Sequence, residues 1–404
     1  MPPRVLVYWL AALLGLVPAR VALGEATLDD EAAEELLWEA LAADASAARS
    51  VAVEAPSPGI AGGGGLLDMA LILDVAAAWF SDEEPLQTGA HDPSRTGFNL
   101  QQLEWALEAN VDPFFRFHAN LVFSQFGVEI EEAYARTLAL RGGLQVRAGQ
   151  FLTRFGRLNE THPHAWHFLD QPLVLGKFFG GENSRGLGVE LSWLVPLPWY
   201  VEAIASATDA AGGCCARSFF GNDDLGVRGV EDLLATLALK QFFPMGHDLS
   251  LLLGASGQFG PNASGLGNRT MILGGDMYLR YRPTRSALRQ SLSWQTEVLW
   301  RSRQVPYDVL QDLGLYSQLV WQWSPRWETG LRYELVTGID QDPLDPTWTG
   351  SRARYSWQAT HYPSHFSRLR LQASADMPTW RDQPIYALML GLEVLVGAHG
   401  AHAF

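Results

Sequence analysis

From residue 66 to residue 404 apolar and polar side chains alternate with a period of two, in runs broken by turns that are alternately tight and long. Tight turns fall at Asp112-Pro113, 141–143, 195–198, 244–247, 283–286, Ser324-Pro325 and 362–364. Polar loops, mostly longer, fall between them at 81–96, 124–127, 153–181, 207–225, 261–268, 302–311, 338–350 and 378–383. Strands joined tightly at one edge and loosely at the other predict an all-β fold, a transmembrane antiparallel barrel. Counting the intervening runs gives about sixteen strands, an even number of the kind such barrels require, and a barrel that wide leaves an aqueous channel.

The alternation is clear in single runs. Over residues 102–112, Leu103, Trp105, Leu107, Ala109 and Val111 share one face, while Gln102, Glu104, Glu108 and Asn110 share the other. After the turn, Phe115, Phe117, Ala119, Leu121 and Phe123 alternate with Arg116, His118 and Asn120. Strands of a soluble sandwich run nearer 5–6 residues, whereas roughly 9–11 tilted residues cross a bilayer. Aromatics gather near the run ends, including Trp79, Phe80, Phe98, Trp199, Tyr200, Trp321, Trp323 and Trp327. That is the placing of interfacial girdles.

The first 24 residues read as an export signal, with Arg4, an apolar run over 5–17 and small residues at 22–24. Residues 25–65 read as a short periplasmic helix followed by a Gly/Pro-rich linker, and 66–404 as the barrel. The last strand ends in an aromatic, Phe404, resembling the assembly signal of outer-membrane proteins. This places the chain in the outer membrane of a Gram-negative bacterium, in contact with lipid. A net charge of −15, with lysine only at 177 and 240, excludes a nucleic-acid partner. Cys214 and Cys215 are adjacent and too few for a disulfide framework; they are incidental thiols or a bridge that stiffens a loop.

No nucleophile elbow, phosphate loop or metalloprotease motif occurs, so the chain reads as no enzyme, needing no cofactor. Loop 153–181, the third on the long-loop side, is the most unusual segment. Phe155, Trp166, Phe168, Leu169, Leu173, Leu175, Phe178 and Phe179 would not stay in water, so the loop is expected to fold into the barrel mouth and narrow it. Arg147, Arg154, Arg157, Asn159, Glu160 and His162 are then candidates for the constriction. His162, His164 and His167 offer imidazoles of the kind that bind zinc, which makes a metal-uptake protein the alternative to passive diffusion of small polar solutes or ions. Inward positions carry Glu104, Glu108, Glu297, Glu328 and Glu334 against Arg116, Arg147, Arg301, Arg332, Arg368 and Arg370. These either set a field across the lumen or pair as salt bridges.

Glu132-Ala133-Tyr134, then Val146-Arg147-Ala148-Gly149-Gln150-Phe151 and Phe155-Gly156, resemble the phosphate-selective porin O and P family. The resemblance implies a sixteen-strand, trimeric porin constricted by its third outer loop. That family's lysine-rich phosphate site has no counterpart here. Residues 151–181 and the ending GAHGAHAF also look like chains labelled zinc-regulated TonB-dependent outer-membrane receptors, a label that implies metal uptake. Such receptors enclose a plug within about 22 strands, and residues 25–65 are too short to supply one.

Overall fold

A computed structural model describes residues 67–124, 127–221, 227–265, 267–283 and 290–397. The expected export signal, helix, linker and terminal Phe404 lie outside these residues. Sixteen antiparallel strands close into one barrel: β1 (Asp68–Phe80), β2 (Gly97–Asn110), β3 (Phe115–Ser124), β4 (Gly127–Thr137), β5 (Leu144–Leu152), β6 (Arg185–Leu194), β7 (Tyr200–Thr208) and β8 (Leu234–Pro244) make the first half. The second comprises β9 (Leu249–Pro261), β10 (Arg269–Tyr281), β11 (Ser291–Val305), β12 (Asp308–Ser324), β13 (Trp327–Val336), β14 (Arg352–Ser364), β15 (Ser367–Pro378) and β16 (Ile385–Gly397). Every strand pairs with its sequence neighbours, and β1 pairs with β16 across eleven residues from Ala70↔Gly397 to Phe80↔Ala387, so the sheet has no free edge.

The period-two pattern becomes two chemically distinct surfaces. On β16, Tyr386, Leu388, Leu390 and Leu392 point out, while Ile385, Ala387 and Met389 are buried inside. Leu187, Val189, Leu191 and Trp193 do the same on β6. An apolar belt of that extent is stable against lipid and not against water. At the tight-turn end Trp323 stacks on Trp327 with ring centroids 6.2 Å apart, part of the anticipated aromatic girdle.

Two connections differ from the sequence reading. Residues 302–311 are not a polar loop: β11 continues to Val305 and β12 restarts at Asp308, with Tyr307 at φ 69° in the two-residue turn. Arg303 within the loop-like stretch, and Arg301 and Asp312 at its two ends, are strand residues facing inward, where charge is wanted. The turn expected at 362–364 lies at 365–366, because the polar end of β14 still pairs, Ser364 with Ser367.

Candidate functional site: the infolded third loop

Residues 153–184 join β5 to β6 and turn into the barrel, as their apolar content demands. They carry a short 3-10 turn at Pro163–Ala165 and one helix, α1 (Leu173–Phe178), all six residues of which are buried. Phe155, Leu158, Trp166, Leu173, Val174, Leu175, Phe178 and Phe179 pack with Phe219 and Phe220 of the next long loop, Trp348 of residues 337–351, and Ile272, Leu299, Tyr316 and Val336 of the wall. The mouth therefore holds a hydrophobic core of its own. Gly156 permits the entry: its φ is +59°, and a Cβ there would lie 2.1 Å from Glu297 Oε2.

An irregular segment inside a barrel must satisfy its peptide groups without a ladder. Wall side chains do this. Glu297 accepts from the backbone N–H of Arg157 at 3.2 Å and of Leu158 at 2.8 Å. Gln372 and Glu334 accept from Leu169 and Leu173, each at 2.7 Å. Arg370 donates to the carbonyl of Phe168 at 2.8 Å, Arg368 to that of Trp166 at 3.3 Å, and Arg332 to that of Asp170 at 3.0 Å. Side-chain pairs complete the seating. Asp170, fully buried, accepts from Arg332 at 2.5 Å, Arg354 at 2.7 Å and Gln372 at 2.7 Å. Burial would raise its carboxyl, but the two guanidiniums prevail and hold it below the ordinary range. Lys177 donates to Asp312 at 2.7 Å, and Arg301 meets the same carboxylate.

The inward charges thus pair locally and do not form opposed walls. Arg116 meets Glu108 at 2.5 Å, Arg147 meets Glu190 at 2.8 Å, and Arg368 and Arg370 share Glu393. Several expected lining residues are sealed away from solvent. Asn159, Glu104, Glu297, Arg301, Arg332, Glu334 and Arg370 are all buried, because the loop and its charge partners cover them. Asn159 caps the loop ends instead, donating to the carbonyls of Thr153 and Ser184 at 2.8 and 2.9 Å.

Solvent reaches a smaller set below the loop. Arg154 grips Glu202 through two bonds of 2.7 Å and Glu160 through one of 3.1 Å. Glu160 also receives Lys240, and its side chain keeps 34% exposure, against 20% for Arg154. Arg157 lies over the Tyr278 ring at 3.9 Å. Burial alone would raise the Glu160 carboxyl, but Lys240 and Arg154 hold it down at about 2, so it stays ionised. Glu202, Lys240 and Asp276 were not anticipated; Glu202 and Lys240 are the single charged residues of β7 and β8, the one sequence signal that could have marked them, and Asp276 shares β10 with Arg269 and Arg280.

The three loop histidines do not share one site: His162 and His164 stack with ring centroids 5.7 Å apart, and His167 lies elsewhere. His162 sits between Glu131 at 2.8 Å and Glu132 at 3.0 Å, His164 meets Glu104 at 2.6 Å, and His167 meets Glu328 at 2.9 Å across on β13. Burial disfavours a charged His162, yet the Glu131 and Glu104 carboxylates outweigh it and raise the imidazole well above its usual value. Cys214 and Cys215 are joined as a vicinal disulfide in the fourth long loop, the loop-stiffening alternative.

Three residues of the porin-like sequence pattern, Tyr134, Arg147 and Phe151, form one cluster. Arg147 lies over the rings of Tyr134 and Phe151 at 4.9 and 4.3 Å, at a point where β4 and β5 pair over only four residues. No family model matches the sequence. An uncharacterized protein of Aquifex aeolicus (strain VF5) is 34% identical over 346 residues, covering 77% of this chain and 71% of that one. The chain belongs to that protein's family. Among solved structures, the outer membrane channel DcaP of Acinetobacter baumannii aligns with a TM-score of 0.55 at 12% identity, covering 82% of this chain and 97% of that one. The anion-selective porin from Comamonas acidovorans aligns at 0.53 and 12%, covering 82% and 99%. At such identity the likeness is one of fold: this chain has the closed sixteen-strand barrel of bacterial outer-membrane porins. It lends no support to a phosphate-selective or zinc-receptor assignment, and sixteen strands fall short of the receptor count.

Proposed function

We propose that the chain is an outer-membrane channel through which small polar solutes or ions diffuse passively, with loop 153–184 as its constriction. What supports this is the division of charge around the loop. Asp170, Arg332 and Arg354 above are sealed as anchors, whereas Glu160, Arg154 and Lys240 below keep 34%, 20% and 17% side-chain exposure. A charged rim that water reaches, held by a rigid seat, is how a barrel discriminates among solutes. Cations Arg154, Arg157 and Lys240 face carboxylates Glu160, Glu202 and Asp276, so the rim favours polar solutes without a strong excess of either sign. The resemblance to porins carries a homotrimer with it, which a mass measurement in detergent tests.

Planar-bilayer recording decides the reading. Ohmic steps in the parent, and larger steps after deletion of residues 161–176 with the barrel still folded, are the expected results. A folded parent that never conducts ends the channel reading; unchanged steps after the deletion end the constriction.

A further inference from the structure

One cluster is left over from the bonds that seat the loop. Pairing between β3 and β4 slips after Asn120, which faces Glu132, while Leu121 faces Ile130 and Glu131 has no partner. A bulge re-aims side chains. Here the consecutive Glu131 and Glu132 both reach His162, Glu131 at Nδ1 and Glu132 at Nε2. We infer that His118, Glu132 and His162 bind one divalent transition-metal cation, with zinc as the probe, and that the cation staples the third loop to β3 and β4.

The spacing carries the first part of the case. The three ligand atoms all lie within 4.8 Å of one another. Glu132 Oε2 is 3.0 Å from His162 Nε2 and 3.6 Å from His118 Nε2. Tetrahedral zinc with bonds of about 2.0–2.1 Å separates its ligands by roughly 3.3 Å, a value those two distances bracket. Two imidazoles and a carboxylate are an established zinc donor set with a fourth position open.

Orientation carries the second part. His118 Nδ1 is 3.3 Å from Glu108 Oε1, and His162 Nδ1 is 2.8 Å from Glu131 Oε2. A carboxylate on the far nitrogen is the arrangement that fixes the tautomer of metal-bound histidine. Glu132 is likewise aimed, its Oε1 accepting from the Leu152 N–H at 2.8 Å. Two buried atoms at the cluster have no hydrogen-bond partner, His118 Nε2 and Asn120 Oδ1. Asn120 Nδ2 lies 2.9 Å from His162 Nε2. Rotating that amide would release the nitrogen to the cation and turn the orphaned Oδ1 toward it.

The test uses the full chain folded in detergent, with zinc binding read by calorimetry and cobalt binding by visible absorbance. One equivalent should bind the parent. His118→Ala and Glu132→Gln should each weaken it by more than the roughly 10–100-fold that loss of an outer partner costs. His167→Ala should leave it unchanged. Glutamine still accepts from Leu152, so Glu132→Gln remains informative if His118→Ala does not fold. A parent that takes up no stoichiometric zinc overturns the inference. So does binding that survives His118→Ala and Glu132→Gln but fails with Glu104→Gln, which would place the ion on the other face of His162, among Glu104, Glu131 and His162. Neither readout needs a conducting pore, so failure of the channel reading would leave this result standing.

Discussion

Replacing Asp170 by alanine tests whether the wall charges hold the loop. The carboxylate accepts from Arg332, Arg354 and Gln372 and is fully buried. Removing one member of a buried ion pair costs about 3–5 kcal/mol, because the partner charge is left stranded. Both arginines keep a second carboxylate here, Glu334 at 3.0 Å for Arg332 and Asp376 at 3.0 Å for Arg354. The lower end of the range therefore applies, about 3 kcal/mol, or roughly a hundredfold in the equilibrium between seated and released loop.

Hydrogen exchange reads that equilibrium at the amides of Leu169 and Leu173, which donate to Gln372 and Glu334 within the same seat. Their protection should fall by roughly a hundredfold in Asp170→Ala, and amides in the β11–β12 ladder should not change. Asp170→Asn keeps the shape and should lose less. If protection at both amides stays within about threefold of the parent in Asp170→Ala, the ion pairs do not hold the loop, and packing of Phe168 and α1 alone accounts for its position.

Two further outcomes follow from local chemistry. Gly149 has φ +135°, and a Cβ there would lie 2.2 Å from the Ala133 carbonyl oxygen, so Gly149→Ala should cost upward of about 1–3 kcal/mol and lower the yield of heat-resistant folded barrel on refolding. His91, in residues 81–96, meets Glu182 at 3.1 Å; burial opposes its charge, but the Glu182 bond prevails and pushes it up from 6.5 to about 9. A raised imidazole stabilises most below its ordinary value and loses that contribution as pH climbs through the raised one. Between pH 7 and 10 the contact should weaken by up to about 3 kcal/mol, seen as a falling protection factor, relative to the intrinsic base-catalysed rate, at Ala90, whose N–H bonds Gly181; His91→Gln should remove that fall in protection.

The barrel is legible because lipid outside and water inside impose opposite chemistry on alternate residues, as along 102–110, so each strand declares both faces. Loop 153–184 is legible as an insertion for the same reason: Phe155, Trp166, Phe168 and Phe178 have no place in water, and each is buried. Which charges touch solvent is not legible. Arg332 and Arg154 look alike as isolated arginines, and only the loop's path decides that one is covered and the other half-open. The bulge at Glu131 left a trace, since Glu131-Glu132 breaks the alternation, but a broken period marks a bulge without saying what it faces.

Buried ion pairs often add nothing over an apolar replacement of the same volume. The chain nevertheless keeps the Arg332–Asp170–Arg354 triad inside the barrel, and the backbone supplies the reason. Arg332 bonds the Asp170 carbonyl as well as its carboxylate, Arg370 bonds that of Phe168, and Glu334 takes the Leu173 N–H. A leucine or methionine at those wall positions could fill the volume but would orphan peptide groups that no helix or ladder reaches. Desolvating each without a partner costs about 1–3 kcal/mol. Charge on the upper wall is thus set by the needs of an irregular segment held in a cylinder. On the lower rim Arg154, Glu160 and Lys240 meet no such demand from the loop backbone, and their partners are one another and Glu202. Under the proposed channel function the rim is free to vary with the solute, while the seat cannot change without losing the loop.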